Sequence, residues 1–323
     1  MARDVVVVLV DVVAILILAD VAIRMAIRVM AHYGISGGFV GLTVVSIGAS
    51  LLEIATHVAG SFKILAAPDE YQLLSALLLG SNIGSDIVQQ NLLLPGVVLV
   101  VGITASRRMV VDGVGALVAA ASMLWIACLD GRLGRGEGGA LIALYLGYLI
   151  YLGRSEHRAK TITPRRPLPT ARLVLIEVSI IACFALIAIL AGPLLDSASH
   201  LVAALPVSGS YFGVIALGVA AAVPELTTAL AAARRGETAM VAGILVGSNV
   251  TNPLFAAGLG AAISTYDVPA VVTRFDLPVK VATGILVAAM LSTSGRVRTL
   301  GAAMLIASYV AYLFARPALF PGD

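Results

Sequence analysis

Two glutamates in apolar surroundings have the clearest chemical meaning in this sequence. Glu53 lies in VVSIGASLLEIATHVAGSF and Glu225 in VIALGVAAAVPELTTALAAA, and neither run contains Asp, Lys or Arg. A carboxylate at the centre of a bilayer costs at least about 2.5 kcal/mol, so it normally faces a partner or a polar cavity. Gly48 and Pro224, close before the two glutamates, interrupt a helix and free backbone carbonyls. This chemistry predicts cation binding.

Short polar side chains at helical spacing extend this prediction. Ser50 and His57 share the helix face of Glu53, and two later segments carry Ser and Asn four residues apart. The oxygen-bearing candidates in those segments are Ser81, Ser85, Asp86, Ser248 and Asn252. Such oxygens suit calcium or sodium, although Ser and Asn also join packed membrane helices. His57 is either a hydrogen-bond partner of Glu53 or a proton relay.

The elements that position these residues are membrane spans. Of the 323 residues, 60% are apolar and only 12% are charged, with a mean hydropathy of +1.03. Soluble proteins are about half apolar and a quarter charged, so a soluble domain is excluded. A span needs about 20 apolar residues, and the length accommodates roughly ten. The predicted spans are 5–31, 38–64, 71–105, 110–129, 137–153, 171–195, 208–233, 238–265, 277–293 and 298–315.

The distribution of Lys and Arg predicts an orientation. Thirteen of these residues fall in loops on one side and seven, with Lys280 and Arg316 among them, on the other. The richer side is expected to be cytoplasmic. We therefore predict a plasma-membrane protein with both termini outside and the basic linker 154–170 inside. A net charge of +3 confined to such loops gives no reason to expect nucleic-acid binding.

The two halves of the chain repeat each other. GSNIGSD at Gly80 matches GSNVTN at Gly247, and each half carries one glutamate in its second span. An odd number of spans in each repeat inverts the second copy, as in secondary transporters, whose sites lie between the repeats. The sequence thus predicts an all-α fold of ten transmembrane helices in two inverted five-helix repeats, 1–153 and 171–323. The site-bearing motifs span 41–91 and 213–257.

These motifs resemble the cation/calcium exchanger superfamily, in particular the prokaryotic sodium/calcium exchangers. The quoted pairs are GASLLE ending at Glu53 with GSNIGS at Gly80, and AAAVPE ending at Glu225 with GSNVTN at Gly247. The resemblance implies Ca²⁺/Na⁺ antiport by alternating access, without a cofactor. It also implies ligands from the glutamates, the polar side chains above and carbonyls of the broken helices. Those carbonyls belong to Ile47, Ala49, Leu217 and Ala221.

The coupling ion is left open by departures from the family pattern. Ala49 and Ala221 stand where the family has threonine, and Ala222 where it has serine. Fewer hydroxyls weaken a sodium site more than a calcium site, so proton coupling remains an alternative. The G-N-x-x-E pattern of the related calcium/proton exchangers is missing, which favours sodium.

Other classes of protein are less consistent with the sequence. The motif H-E-x-x-H of a metalloprotease and an Asp-rich diphosphate motif are missing, so we do not expect an enzyme. A cation channel or a non-transporting homologue is a further alternative. An internal repeat that builds the site within one chain favours a functional monomer in the lipid bilayer over a channel with oligomeric symmetry.

Overall fold

The computed structural model describes residues 2–34, 37–101, 110–158, 167–204, 208–234, 236, 238–294 and 299–321. Residues 159–166 of the basic linker, Arg107, Arg108 and the loop arginines Arg296 and Arg298 lie outside the described residues. Within them the chain is almost entirely helical, because long runs rich in Leu, Ala, Val and Ile bury their backbone polar groups best as helices. The predicted all-α membrane fold is confirmed at this level.

The helices follow the ten predicted segments closely. We label the uninterrupted ones α1 (Ala2–Tyr33), α5 (Arg135–Arg158), α6 (Thr170–Ala204) and α10 (Thr299–Leu319). The interrupted ones are α2 (Gly37–Ala49 and Leu51–Ala66), α3 (71–101), α4 (110–127), α7 (209–221 and Val223–Ala233), α8 (Thr238–Ile263) and α9 (272–294). Two short strands, β1 (Arg132–Leu133) and β2 (Tyr266–Asp267), pair antiparallel and join the α4–α5 and α8–α9 connections.

Seven of the described helices are long and apolar enough to cross a membrane, or eight when the two segments of α2 count as one span. Residues Val111–Ala127 of α4 form a shorter apolar helix. The number of ten spans therefore stays a prediction, whereas the multi-pass membrane character is established. Large apolar side chains such as Leu9, Leu175 and Ile189 are exposed on α1 and α6, as expected of surfaces covered by lipid.

Interruptions occur at matching places in the two halves. The segments of α2 are bent by 44° at Ser50, and α7 is interrupted at Ala222, just before Pro224. Proline is tolerated there because it occupies the first turn of the new helical segment. The first half makes its bend without proline, since Leu52 occupies the corresponding position.

The described residues also contain six π-helical turns, which form three repeat-related pairs. They are Gly41–Val45 in α2 and Gly213–Leu217 in α7, Gln89–Leu93 in α3 and Asn252–Ala256 in α8, and Val110–Gly115 in α4 and Val272–Asp276 in α9. Such turns are uncommon and concentrate at functional sites. Their paired occurrence supports the predicted repeat at the level of the backbone.

The halves interlock through close helix crossings at glycine. A side chain at Gly84 of α3 would come within 2.6 Å of the Val214 backbone of α7, and one at Gly213 within 2.7 Å of the Leu77 carbonyl. Similarly, a side chain at Gly41 of α2 would lie 2.7 Å from the Met240 carbonyl of α8. Thus α7 of the second half packs against α3 of the first, and α2 of the first half packs against α8 of the second. Two symmetry-related repeats produce such reciprocal packing.

The charge count of the sequence needs two corrections. Lys280 and Arg316 were assigned to loops, but both lie in helices, α9 and α10, with fully buried side chains. Arg316 forms a two-pronged contact with the carboxylate of Asp276, with nitrogen–oxygen distances of 2.9 and 3.0 Å. A buried partner overrides the tendency of a basic residue to mark a loop. The orientation derived from the count stays a prediction.

Candidate functional site

Glu53 begins the second segment of α2 and is almost completely buried, with 1% of its surface exposed. One carboxylate oxygen, Oε1, accepts hydrogen bonds from Ser85 Oγ at 2.8 Å and from Asn252 Nδ2 at 3.3 Å. The other oxygen, Oε2, has no hydrogen-bond donor among the described residues. The site thus joins α2 and α3 of the first half to α8 of the second.

Glu225 occupies the equivalent place in α7 and is fully buried. Neither of its carboxylate oxygens accepts a hydrogen bond from the described part of the chain. The carboxyl group lies close enough to Glu53 and Asp86 for their charges to interact. Burying two carboxylates side by side is unfavourable unless a positive charge balances them. The pair is therefore chemically suited to a divalent cation.

Further buried oxygens at this place also lack donors among the described residues. They are Ser50 Oγ, Asn82 Oδ1 and Asn252 Oδ1. No three described His, Cys, Asp or Glu side chains are arranged to hold one metal ion. A cation between the glutamates would therefore depend on hydroxyl, amide and carbonyl oxygens as well, which are ligands that calcium and sodium accept. The donor set present fits such an ion.

The helix interruptions lie a few residues before the two glutamates, where the predicted carbonyl ligands are found. Ile47 and Ala49 lie in the short helical stretch Ser46–Ala49 just before the bend at Ser50, and Ala221 precedes the interruption at Ala222. Leu217 ends the π-helical turn of α7. Carbonyls next to an interruption lose helical partners and become available to ions. These four predicted carbonyl ligands lie close to the glutamates along the chain, and their role stays a prediction.

The serines of the GSN motifs differ in their surroundings. Ser248 is fully buried, donates to the Ile244 carbonyl at 3.1 Å, and lies within interaction range of Glu225. Ser81 is 8% exposed and lines a crevice together with Thr56 and Leu217. Val12 of α1 and Leu194 of α6 form the facing wall. This crevice connects the predicted ligands with the α1–α6 pair, which packs together along most of its length.

Asp86 is brought into the site but is bound to protein donors. Its Oδ1 accepts from Asn252 Nδ2 at 2.8 Å, and its Oδ2 forms an ion pair with Lys280 Nζ. Lys280 has no place among the sequence-based candidates, because it lies near the edge of a predicted span. The rule that an ionisable residue within a span marks a functional site identifies it once the helix boundary is known.

Two further buried amides were not chosen as site residues from the sequence. Gln89 donates to Ser85 Oγ at 3.0 Å, and Asn249 donates to Gln89 Oε1 at 3.2 Å. Both are fully buried. They orient the Ser85 hydroxyl towards Glu53 and link α3 to α8. Gln89 follows Ser85 by four residues and Asn249 follows Leu245 by four residues, so each amide shares a helix face with the residue that it contacts. This spacing was the available sequence signal.

His57, one turn along α2 from Glu53, belongs to a separate hydrogen-bonded cluster. Its Nδ1 is 3.0 Å from the hydroxyl of Tyr266, which is also 2.7 Å from Ser61 Oγ. Its Nε2 has no partner among the described residues, and the hydrogen bonds of Glu53 come from Ser85 and Asn252. The geometry therefore favours a structural partnership with Tyr266, while the relay role stays a prediction.

The sequence matches the family described as "Sodium/calcium exchanger protein" over residues 4–153 and 177–316. It is 30% identical to inner membrane protein YrbG of Escherichia coli strain K12 over 249 residues, 72% of this chain and 71% of that protein. It is 23% identical to the putative antiporter CaxA of Alkalimonas amylolytica, covering 95% and 96% of the two chains. Over a shorter part, 34% of this chain and 31% of the relative, it is 28% identical to sodium/calcium exchanger MaX1 of Methanosarcina acetivorans.

The fold is similar to that of solved exchanger structures. A structure of the sodium-calcium exchanger NCX_Mj soaked with 2.5 mM Na⁺ and 10 mM Sr²⁺ superposes with a TM-score of 0.69. The likeness covers 97% of this chain and 99% of that chain, at 20% sequence identity. At this identity the comparison establishes the common fold over essentially the whole chain.

Proposed function

The chain belongs to the sodium/calcium exchanger protein family, and from that premise we propose that it is a secondary antiporter that exchanges Ca²⁺ for Na⁺ by alternating access. The observation that carries the proposal is the pair Glu53 and Glu225. Two buried carboxylates from matching interrupted helices approach each other, and three of their four oxygens lack donors among the described residues. One divalent cation offsets the charge of both, whereas either glutamate alone would leave it unbalanced.

The surrounding oxygens give each ion its ligands in this proposal. Ca²⁺ takes six to eight oxygens at about 2.3–2.6 Å, which the glutamates, neighbouring side chains and carbonyls supply together. The proposed ligand set is Glu53, Glu225, Ser50, Ser81, Ser85, Ser248 and Asn252 with the carbonyls of Ile47, Ala49, Leu217 and Ala221. Na⁺ competes for the same oxygens, so that the two ions cross in separate steps.

Alternating access requires one part of the molecule to move against another. The crevice lined by Ser81, Leu217, Val12 and Leu194 runs between the ligands and the α1–α6 pair. We infer that displacement of this pair opens and closes the route to the glutamates. Its lining is mainly apolar, which allows one surface to slide over another without breaking hydrogen bonds.

Proton coupling is the second candidate, because Ala49, Ala221 and Ala222 remove hydroxyls that sodium would use. A proton requires only carboxylates and a relay, for which His57 is the candidate. Sodium remains the preferred ion, since the GSN motifs are intact in both halves, and Ser85 and Asn252, three residues beyond them, donate hydrogen bonds to Glu53.

The test is ⁴⁵Ca²⁺ uptake into proteoliposomes under an imposed Na⁺ gradient, at fixed pH and clamped membrane potential. We expect Na⁺-dependent uptake by the native protein and its loss in Glu53→Gln and in Glu225→Gln. Glu137→Gln, a change at the start of α5 remote from the site, serves as the matched control. Uptake near the native rate in either glutamate variant would exclude the assignment. Uptake driven by a pH gradient alone would replace Na⁺ with protons.

A further inference from the structure

Lys280 is a buried cation next to the proposed ion site. It lies in the first turn of the regular helix that begins at Leu277, with no exposed surface. Its ammonium group is bound to Asp86 Oδ2, and its backbone carbonyl accepts from Gln90 Nε2 at 3.0 Å. Gln90 also donates to Thr283, one turn further along α9. Helix α3 therefore holds Lys280 at both its side chain and its backbone.

The Lys280–Asp86 pair is connected directly to the glutamates. The amide of Asn252 donates both to Asp86 and to Glu53, at 2.8 and 3.3 Å, and so bridges the two carboxylates. Asp86 also interacts electrostatically with both Glu53 and Glu225. The charge of Lys280 is thus part of the same buried electrostatic unit as the ion ligands.

The fixed charges of this buried unit determine which ions it can bind. It contains three carboxylates, those of Glu53, Glu225 and Asp86, and one ammonium group, that of Lys280. Among the described residues, the other fully buried cation, Arg316, is bound to Asp276 in a different cluster. The unit therefore carries two net negative charges when its groups are ionised. An unbalanced charge in a buried site costs several kcal/mol, so combinations of bound cations that neutralise the site are strongly preferred.

We propose that Lys280 sets the charge of the ion site to minus two and thereby makes the exchange electroneutral, with two monovalent cations moved for each Ca²⁺. This inference rests on the proposed exchange function and holds for either monovalent ion. One Ca²⁺ or two monovalent cations neutralise the site, whereas a third monovalent cation would leave a buried positive charge. Lys280 takes the place of that third cation as a tethered charge, and it contacts Asp86 rather than the transported ion.

The decisive measurement is the response of Ca²⁺ flux to membrane potential. In proteoliposomes with a potassium diffusion potential set by valinomycin, we expect ⁴⁵Ca²⁺ flux through the native protein to be independent of potential. Lys280→Met frees Asp86 and makes the site charge minus three, which three monovalent cations neutralise. Ca²⁺ bound alone leaves this site with one negative charge, so an exchange of three monovalent cations for one Ca²⁺ moves one net charge and the flux should depend on potential. A native protein that generates current, or a Lys280→Met variant that responds like the native protein, would overturn the proposal.

The double variant Lys280→Met/Asp86→Asn is the matched control. It removes both members of the ion pair and returns the site charge to minus two, so we expect flux independent of potential again. A purely structural ion pair predicts no change of coupling in the single variant, and a potential-dependent double variant would contradict the charge argument.

A binding measurement separates this inference from the proposed function. Detergent-purified Lys280→Met should bind one more ²²Na⁺ per chain than the native protein, a count that requires no transport. Asp86→Asn alone leaves one negative charge and should weaken ⁴⁵Ca²⁺ binding by at least about tenfold, since a bound Ca²⁺ is then not neutralised. Native Ca²⁺ affinity in Asp86→Asn would refute the role of Lys280. Failure of the native protein to exchange would instead refute the proposed function.

Discussion

Substitutions in the buried pair of His57 and Tyr266 distinguish a structural role of His57 from a role in ion coupling. With Na⁺ as the coupling ion, we expect His57→Ala to leave the pH profile of Na⁺-driven Ca²⁺ uptake unchanged. Both His57→Ala and Tyr266→Phe should lower stability by about 1–3 kcal/mol, because each leaves a buried polar group without its partner. Thermal unfolding in detergent measures this effect, and His200→Ala, a change in a largely exposed side chain, is the control.

The opposite outcome has a clear signature. If Na⁺ has no effect and a pH gradient alone drives an uptake that His57→Ala weakens, His57 is a proton relay and the coupling ion is H⁺.

At the level of residues, the sequence identified one part of the site and missed another. Glu53 and Glu225 were found because a carboxylate in an apolar run has few structural explanations, and the repeat supplied the second from the first. Lys280 was missed because it stands three residues inside a predicted span edge, where a lysine is read as a loop residue. Gln89 and Asn249 were not chosen as site residues, because an amide in a helix carries little information until its partner across the helix interface is known.

Helix α3 crosses α7 so closely that the crossing depends on glycine. We expect Gly84→Ala to destabilise the protein by about 1–3 kcal/mol and to slow transport, because the new methyl group meets backbone atoms that cannot rotate away. The distances to Val214 would be 2.6 Å to Cα and 2.7 Å to the carbonyl oxygen. Thermal unfolding and Na⁺-driven ⁴⁵Ca²⁺ uptake measure the two effects.

Gly147→Ala in α5 is the matched control, since no other helix in the described part of the chain comes within 4 Å of its added methyl group. Alanine favours a helix over glycine by about 0.5–1 kcal/mol, so this variant should be unchanged or slightly more stable. A Gly84→Ala variant that behaves like Gly147→Ala would show that the helices separate without cost.

The sequence predicted the helices far better than their interruptions. Apolar runs bounded by polar residues placed the described helices, because a chain in lipid has few alternatives to a helix. Pro224 indicated the break in α7, and Gly48 indicated the interruption of α2, where the bend at Ser50 has no proline. The π-helical turns were not predicted, since a single inserted residue leaves the apolar pattern almost unchanged.

For the whole molecule, the repeat and the charge distribution make one joint prediction about sidedness. Five spans are predicted between the basic linker and the C-terminus, and an odd number places them on opposite sides of the membrane. The linker should be cytoplasmic, because basic residues are retained on that side. The internal symmetry of interruptions and crossings supports five helices in each half, although it leaves the direction of each helix to experiment.

Cysteine labelling tests this prediction in a background where both native cysteines, Cys128 and Cys183, are replaced by alanine; both are buried. We expect a membrane-impermeant maleimide to label Asp323→Cys in intact cells and Thr163→Cys only after permeabilisation. The reverse pattern would invert the orientation but preserve the odd number of spans. Labelling of both positions from one side would contradict an odd number of spans in the second half, and with it the predicted five-span repeat.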